Sequence, residues 1–192
     1  EILLVAIFVI VLIGFAGVVG IKSILSFIFT VLAMWKVLIP LFLQGYNPVL
    51  VGVITTMILI ITIIVLVYGI DKKSLAAIIG SLSGALVTCL MAVFFVSKFK
   101  IHGAVMSYSE SLLYSGYENL NLTQIFIASI FIASSGAVMD VAVDITSAVA
   151  EVIEKKPSIT KREAIKSGIN VGRSIMGTMM TTLLLAYSGG YI

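Results

Sequence analysis

Apolar residues run almost unbroken through six stretches of the chain, at 2–21, 24–43, 49–69, 75–96, 125–149 and 169–187. A hydrocarbon core about 30 Å thick takes about 20 apolar residues of helix to cross. The pattern therefore predicts an all-α fold, a polytopic transmembrane bundle of about six spans, forming a single domain over 1–192. Turn chemistry divides the stretches: Gly20 and Lys22, then Gly45-Tyr46-Asn47-Pro48, then Asp71-Lys72-Lys73-Ser74. Asn-Pro beside Gly is a strong breaker, so the second and third spans should form a tight hairpin. Residues 98–122 interrupt the pattern, with Tyr108, Tyr114 and Tyr117 interleaved among Met106, Leu112 and Leu113. Such a segment suits the headgroup level, where aromatic rings settle; a lid over a substrate path is the alternative. Asn121-Leu122-Thr123 matches a glycosylation sequon but abuts a span and reads as accidental. Pro157 ends the fifth helix, and Thr160-Lys161-Arg162-Glu163 is a capping box opening an amphipathic cytoplasmic lead-in over 158–168.

Composition agrees with the pattern. Hydrophobic residues make up 60% of the chain and charged ones 11%, about half the charge of a soluble domain. A mean hydropathy of +1.22 removes the soluble classes. The net charge of +3 is explained by its placement. If Lys22 is cytoplasmic, Lys72, Lys73, Lys155, Lys156, Lys161, Arg162 and Lys166 join it, and only Lys98 and Lys100 fall opposite. The positive-inside rule then places both chain ends outside. An outside N-terminus beginning at Glu1, without a signal sequence, implies a preceding span. The basic excess is a topology signal, so no nucleic-acid partner is expected. The lipid bilayer and a partner membrane protein or a second copy are expected instead.

Charges inside a span are costly and mark candidate sites. Lys36, Asp140, Asp144 and Arg173 qualify. Lys36 is expected to snorkel past Pro40 to the outer headgroups. Asp140 and Asp144, four apart, share a helix face with Ser129, Ala133, Gly136, Ser147 and Glu151. That stripe should face another helix or a water-filled path. Counted from a boundary near Ala150, Asp140 lies roughly 15 Å deep and Asp144 roughly 9 Å. Arg173 falls at a matching depth on the next span, so an Asp144–Arg173 pair is expected, with Asp140 deeper and close to Thr178 or Thr181. Gly80 and Gly84, together with Gly136 and Gly177, are expected at close helix contacts.

Other chemistry is missing. His102 is the single histidine and Cys89 the single cysteine, so no metal site, redox pair or catalytic dyad is indicated. No phosphate-binding loop or nucleophile motif occurs. The sequence predicts a protein that is no enzyme, with no cofactor, no metal and no catalytic residue.

Gly136 to Ala142, Lys166 to Arg173, Ile175 to Met179, Leu183 to Tyr187 and the Gly45–Pro48 turn together resemble the YibE/F family of bacterial multispan proteins. The resemblance implies a multi-pass protein of the bacterial plasma membrane, with an upstream span and an external domain in the complete protein; it leaves the activity unspecified. A looser similarity is to resistance-nodulation-division exporters and their SecDF-type relatives. It rests on Gly136, Asp140, Gly172 to Ile175, Thr178, Thr181 and Thr182. That similarity implies proton-coupled export through an intramembrane carboxylate and a neighbouring base.

Two function classes remain. One is a transport or export component, proton-coupled through Asp140 with Arg173 and Asp144 as charge partners, its substrate unknown. The other is a structural or accessory subunit whose polar stripe docks a partner. Water access to Asp140 would separate them.

Overall fold

The computed structural model describes residues 2–106, 109–117 and 119–189. It is helical throughout, with no strand among the described residues. The elements are α1 (Ile2–Ala33), a π-helical turn (Met34–Leu38), α2 (Ile39–Leu43), α3 (Pro48–Tyr68) and α4 (Lys72–Lys98). A 3₁₀ turn (Gly103–Val105), α5 (Ser109–Tyr114), α6 (Leu122–Lys155) and α7 (Lys161–Gly189) follow. Among the described residues, four helices are long and apolar enough to cross a membrane: Leu3–Leu43, Pro48–Tyr68, Lys72–Lys98 and Leu122–Lys155.

The first of these corrects the expected break at Gly20 and Lys22. Both residues are helical, and the interruption lies at Gly17, whose φ of 56° and ψ of −130° leave the helical region. A Cβ on Gly20 would lie 2.7 Å from the carbonyl oxygen of Leu12. Residues eight apart in a straight helix are separated by about 12 Å along the axis, so the chain folds sharply here. Such φ and ψ values are open to glycine and closed to other residues, and that decides which glycine forms the corner. Further on, Pro40 lacks an N–H, and the helix widens before it. The Ile39 N–H reaches Met34 O, the five-residue bond of a π-turn. Lys36 sits exposed on this turn, its ammonium 4.9 Å from the Trp35 ring centroid.

The hairpin into α3 is made as its residues require. Asn47 Oδ1 accepts from the N–H groups of Val49 and Leu50, at 3.1 and 3.2 Å, and Pro48 takes the first helical position, where no donor is needed. Gly45 and Gly69 supply positive φ at the turns on either side of α3.

The core lies between α3, α4 and α6. The buried stripe of α4 is Ser74, Ala77, Ser81, Ala85, Cys89, Ala92 and Val96, a run of small side chains at spacings of three and four. It lets α4 approach α6 closely, where Phe131 is almost wholly buried. A Cβ on Gly84 would meet Val138 Cγ1 at 2.6 Å, and one on Gly52 of α3 would meet the Ala128 Cβ at 3.2 Å. In lipid, where burial of apolar surface drives nothing, close contact of this kind supplies the cohesion.

Residues 98–122 form no single helix. The 3₁₀ turn is tied to the start of α6: the Gly103 N–H donates to Thr123 Oγ1 at 3.2 Å, and Gly103 packs on the Leu122 backbone too closely for a side chain. Asn121 caps α6, accepting from the Gln124 N–H at 3.1 Å, so the sequon residues serve the helix start. Tyr114 is 90% exposed, Tyr108 lies outside the described residues, and the side chain of Leu113 does too. The expected lead-in at 158–168 and the sixth stretch are continuous. The Thr160 N–H donates to Glu163 Oε2 at 2.9 Å and the Glu163 N–H to Thr160 Oγ1 at 3.3 Å, and from there α7 runs unbroken through 169–187. Cβ positions on Gly168 and Gly172 lie 3.0 Å from Val149 Cγ2 and Ile145 Cδ1, so α7 is seated on α6 where the lead-in passes into the stretch.

Candidate functional site

The site is built on α6. Asp140 and Asp144, one turn apart, both stand exposed on it and border a groove of about 470 Å³. Opposite them are Ser23 and Ser26 of α1 and Tyr68 at the end of α3, with Met179 of α7 at the rim. Ser26 donates to Ser23 O at 2.8 Å and Ser23 to Val19 O at 3.0 Å. These hydroxyls spend their protons on their own helix.

A second cavity, of about 300 Å³, lies toward the basic end of the bundle. Asp71, Lys73, Ser74, Thr146, Ser147 and Glu151 line it. The two spaces share Ile64, Tyr68 and Val143 as walls, so they adjoin, with Tyr68 between them. The Ser74 side chain is buried and its Oγ has no protein partner. At the rim Lys73 pairs with Glu154 at 3.8 Å and Glu151 with Lys155 at 2.8 Å. The Lys155 ammonium, by hydrogen bond and charge, holds the Glu151 carboxyl below its ordinary range.

The predicted partners of the aspartates are elsewhere. The contacts of Gly168 with Val149 and Gly172 with Ile145 set α7 antiparallel to α6, and this register puts Arg173 level with Asp144. No ion pair joins them; the two pairs above are those formed among the described residues. Gly172 and Ile145 take the contact itself. Asp144 turns to the groove with Ser23, while Arg173, three before Met176, shares the side of α7 that faces a different groove, beside Gly80 of α4. Thr178 and Thr181 are exposed and satisfied by their own helix, donating to Ile175 O at 2.9 Å and Gly177 O at 3.1 Å. Neither lines the Asp140 groove.

The expected packing glycines divide. Gly84 lies hard against Val138, and Gly80 in ordinary contact with Ala142. A side chain on Gly136 or Gly177 would meet nothing within 4 Å, so these two make no close helix contact in this chain. Both lie on open faces. Indeed Ser129, Ala133, Gly136, Asp140, Asp144, Ser147 and Glu151, the whole polar stripe, are exposed.

Three participants escaped the sequence reading: Tyr68, Ser23 and Ser26. Their signal was weak, because each sits in an apolar stretch whose hydroxyls can also bond their own backbone. Among the described residues no group of three or more histidine, cysteine or acidic side chains could hold a metal ion.

A search of curated proteins and a search of solved structures found no match to this chain. The family described as YibE/F-like protein matches residues 4–192, nearly the whole chain, over the same helices that build the two cavities, and the protein belongs to the YibE/F family.

Proposed function

We propose that this YibE/F member is a non-enzymatic transport or export component of the bacterial plasma membrane, coupled to protons through Asp140. In this reading the chain from α1 to α2 enters the membrane twice, folded at Gly17, and α7 supplies the sixth span, with both ends of the chain outside. Gly17 divides the stretch Leu3–Leu43 into limbs of about 21 Å and about 39 Å at 1.5 Å per residue, so the second is long enough to cross a core of about 30 Å and the first reaches about two thirds of the way. The observation that carries the functional reading is the pair of adjoining cavities, each lined in part by polar side chains, that leads from the basic end past Tyr68 to Asp140. A buried hydroxyl without a partner costs about 1–3 kcal/mol, so Ser74 favours water in the outer cavity, which is large enough for it. Water reaching a carboxyl inside the bilayer is what a proton relay needs.

Impermeant thiol labelling tests the path. In a Cys89→Ala background, cysteines at Ser26 and Asp140 should react from the cytoplasmic side, as should one at Lys72 or Ser158. One at Tyr114 should react only from outside. Silence at Ser26 and Asp140 from both sides would close the proposed path, and reversed labelling at Lys72 and Tyr114 would invert the topology.

The exposure of the entire Ser129–Glu151 stripe favours a second reading, an accessory subunit docking a partner membrane protein there. Asp140→Asn separates the two. It should abolish a proton-coupled activity, because the amide keeps the shape and loses the titration, and it should leave a purely structural docking role in place.

A further inference from the structure

We propose that the groove between α4, α6 and α7 binds an acyl chain of an anionic phospholipid, with Arg173 holding the phosphate. The groove has a volume of about 620 Å³, and its walls are Val138 and Val141 of α6, Gly80 of α4, and Met176, Met180 and Leu183 of α7. Along α6 it extends from Ala137 to Thr146, about 13 Å at 1.5 Å per residue. Counted from the same boundary near Ala150, it runs from roughly 6 Å to roughly 20 Å deep, so an acyl chain entering at the basic end would fill it to just past the midplane. Methionine is unbranched and conforms to irregular apolar shapes, which suits a chain that changes conformation.

Charge names the headgroup. Arg173 precedes Met176 by three residues and Met180 by seven, and Lys166 lies a further seven before it. These spacings put both cations on the helix face that carries the methionines, toward the basic end of the groove. Arg173 is exposed and pairs with no carboxylate among the described residues. A guanidinium fits phosphate oxygens two at a time, and basic residues at clefts between membrane helices hold anionic headgroups. A zwitterionic lipid brings the same phosphate with its own ammonium beside it, so the preference should be for net negative charge. This groove opens on the other side of the α6–α7 seam from the Asp140 groove, with Met179 shared between the two and Thr146 shared with the basic-end cavity; lipid binding here needs no proton coupling.

The test is native mass spectrometry of the full chain taken from equimolar phosphatidylglycerol and phosphatidylcholine. The protein should retain phosphatidylglycerol with about a tenfold preference, the size of one charge-assisted hydrogen bond. R173Q should lose that preference while melting unchanged, and R173K should keep part of it. Filling the groove with Val141→Trp or Gly80→Leu should remove the bound lipid of either kind. Equal retention of the two lipids by the unaltered protein, or an unchanged preference in R173Q, would overturn the proposal. So would a disulfide between two copies through Met180→Cys, which would make protein the occupant.

Discussion

On α6, Val138 and Asp140 are two residues apart and belong to different environments. Val138 meets α4 so closely that a Cβ on Gly84 would stand 2.6 Å from it. Asp140 and its stripe, from Ser129 to Glu151, stand exposed, with a groove beside them. Both faces are rich in small residues, and both would pass for helix contacts by composition. The difference is what lies opposite. The α4 stripe of serine, alanine and cysteine has no side chain longer than a valine, so the two backbones close on each other. Across the groove from Asp140 stand Ser23, Ser26 and Tyr68, and no helix closes on this face. A small residue therefore marks close packing only where the facing helix is small at the same level, which teaches why one glycine of this helix pair is structural and another is not.

The largest expected effect is on the packed face. Gly84→Leu must displace Val138, and overpacking of this kind costs about 1–3 kcal/mol or more. Gly136→Leu should leave thermal unfolding in detergent almost unchanged, because its Cβ meets nothing. Equal losses in the two variants would erase the contrast between the faces.

The corner comes next. Gly17→Ala forces an L-residue into a φ of 56° with ψ of −130°, a strain of about 1–3 kcal/mol. It should straighten the helix and pull Ser23 and Ser26 from the groove. Distances between spin labels at Val5 and Leu25 would lengthen; unchanged distances would show that the corner does not depend on glycine.

Arg173→Ala should cost little, within about 0.5 kcal/mol of the parent in thermal unfolding, since the guanidinium is exposed and unpaired. A loss of several kcal/mol would point to a buried partner and revive the pairing with Asp144.

The smallest effect sits at the start of α7. The Thr160 N–H, and then its hydroxyl, hold the Glu163 carboxyl below its ordinary range. A depressed carboxyl contributes stability above its unfolded value, and that contribution fades as pH falls through the folded one. Amide protection factors, corrected for the intrinsic pH dependence of exchange, should therefore fall at Thr160 and Glu163 on acidification, confined to the first turn, and Glu163→Gln should flatten that dependence.

Much of the fold was legible because local chemistry decides it. Asn47-Pro48, Thr160 with Glu163, and the long apolar stretches each act within a few residues, and the structure uses them as the sequence implies. That Asp140 and Asp144 share a face with the small residues was legible too, since residues four apart align in any helix, but the sequence set that face against a helix or a water path and the structure leaves it exposed. The corner was misplaced by three residues because Gly14, Gly17 and Gly20 are equivalent until the chain folds back, and only then does Leu12 crowd one of them and φ select another.

The sequence by itself determined the helices, their caps, and which residues of α6 share its polar side. Only the tertiary structure decided how each helix is rotated about its axis. Gly168 and Gly172 seat α7 on Ile145 and Val149, and that rotation sends Arg173 to one side of the seam and leaves Thr178 and Thr181 facing outward. Depth follows from counting residues along a helix, but azimuth follows from which side chains are small enough to let two helices touch, and that depends on both helices at once.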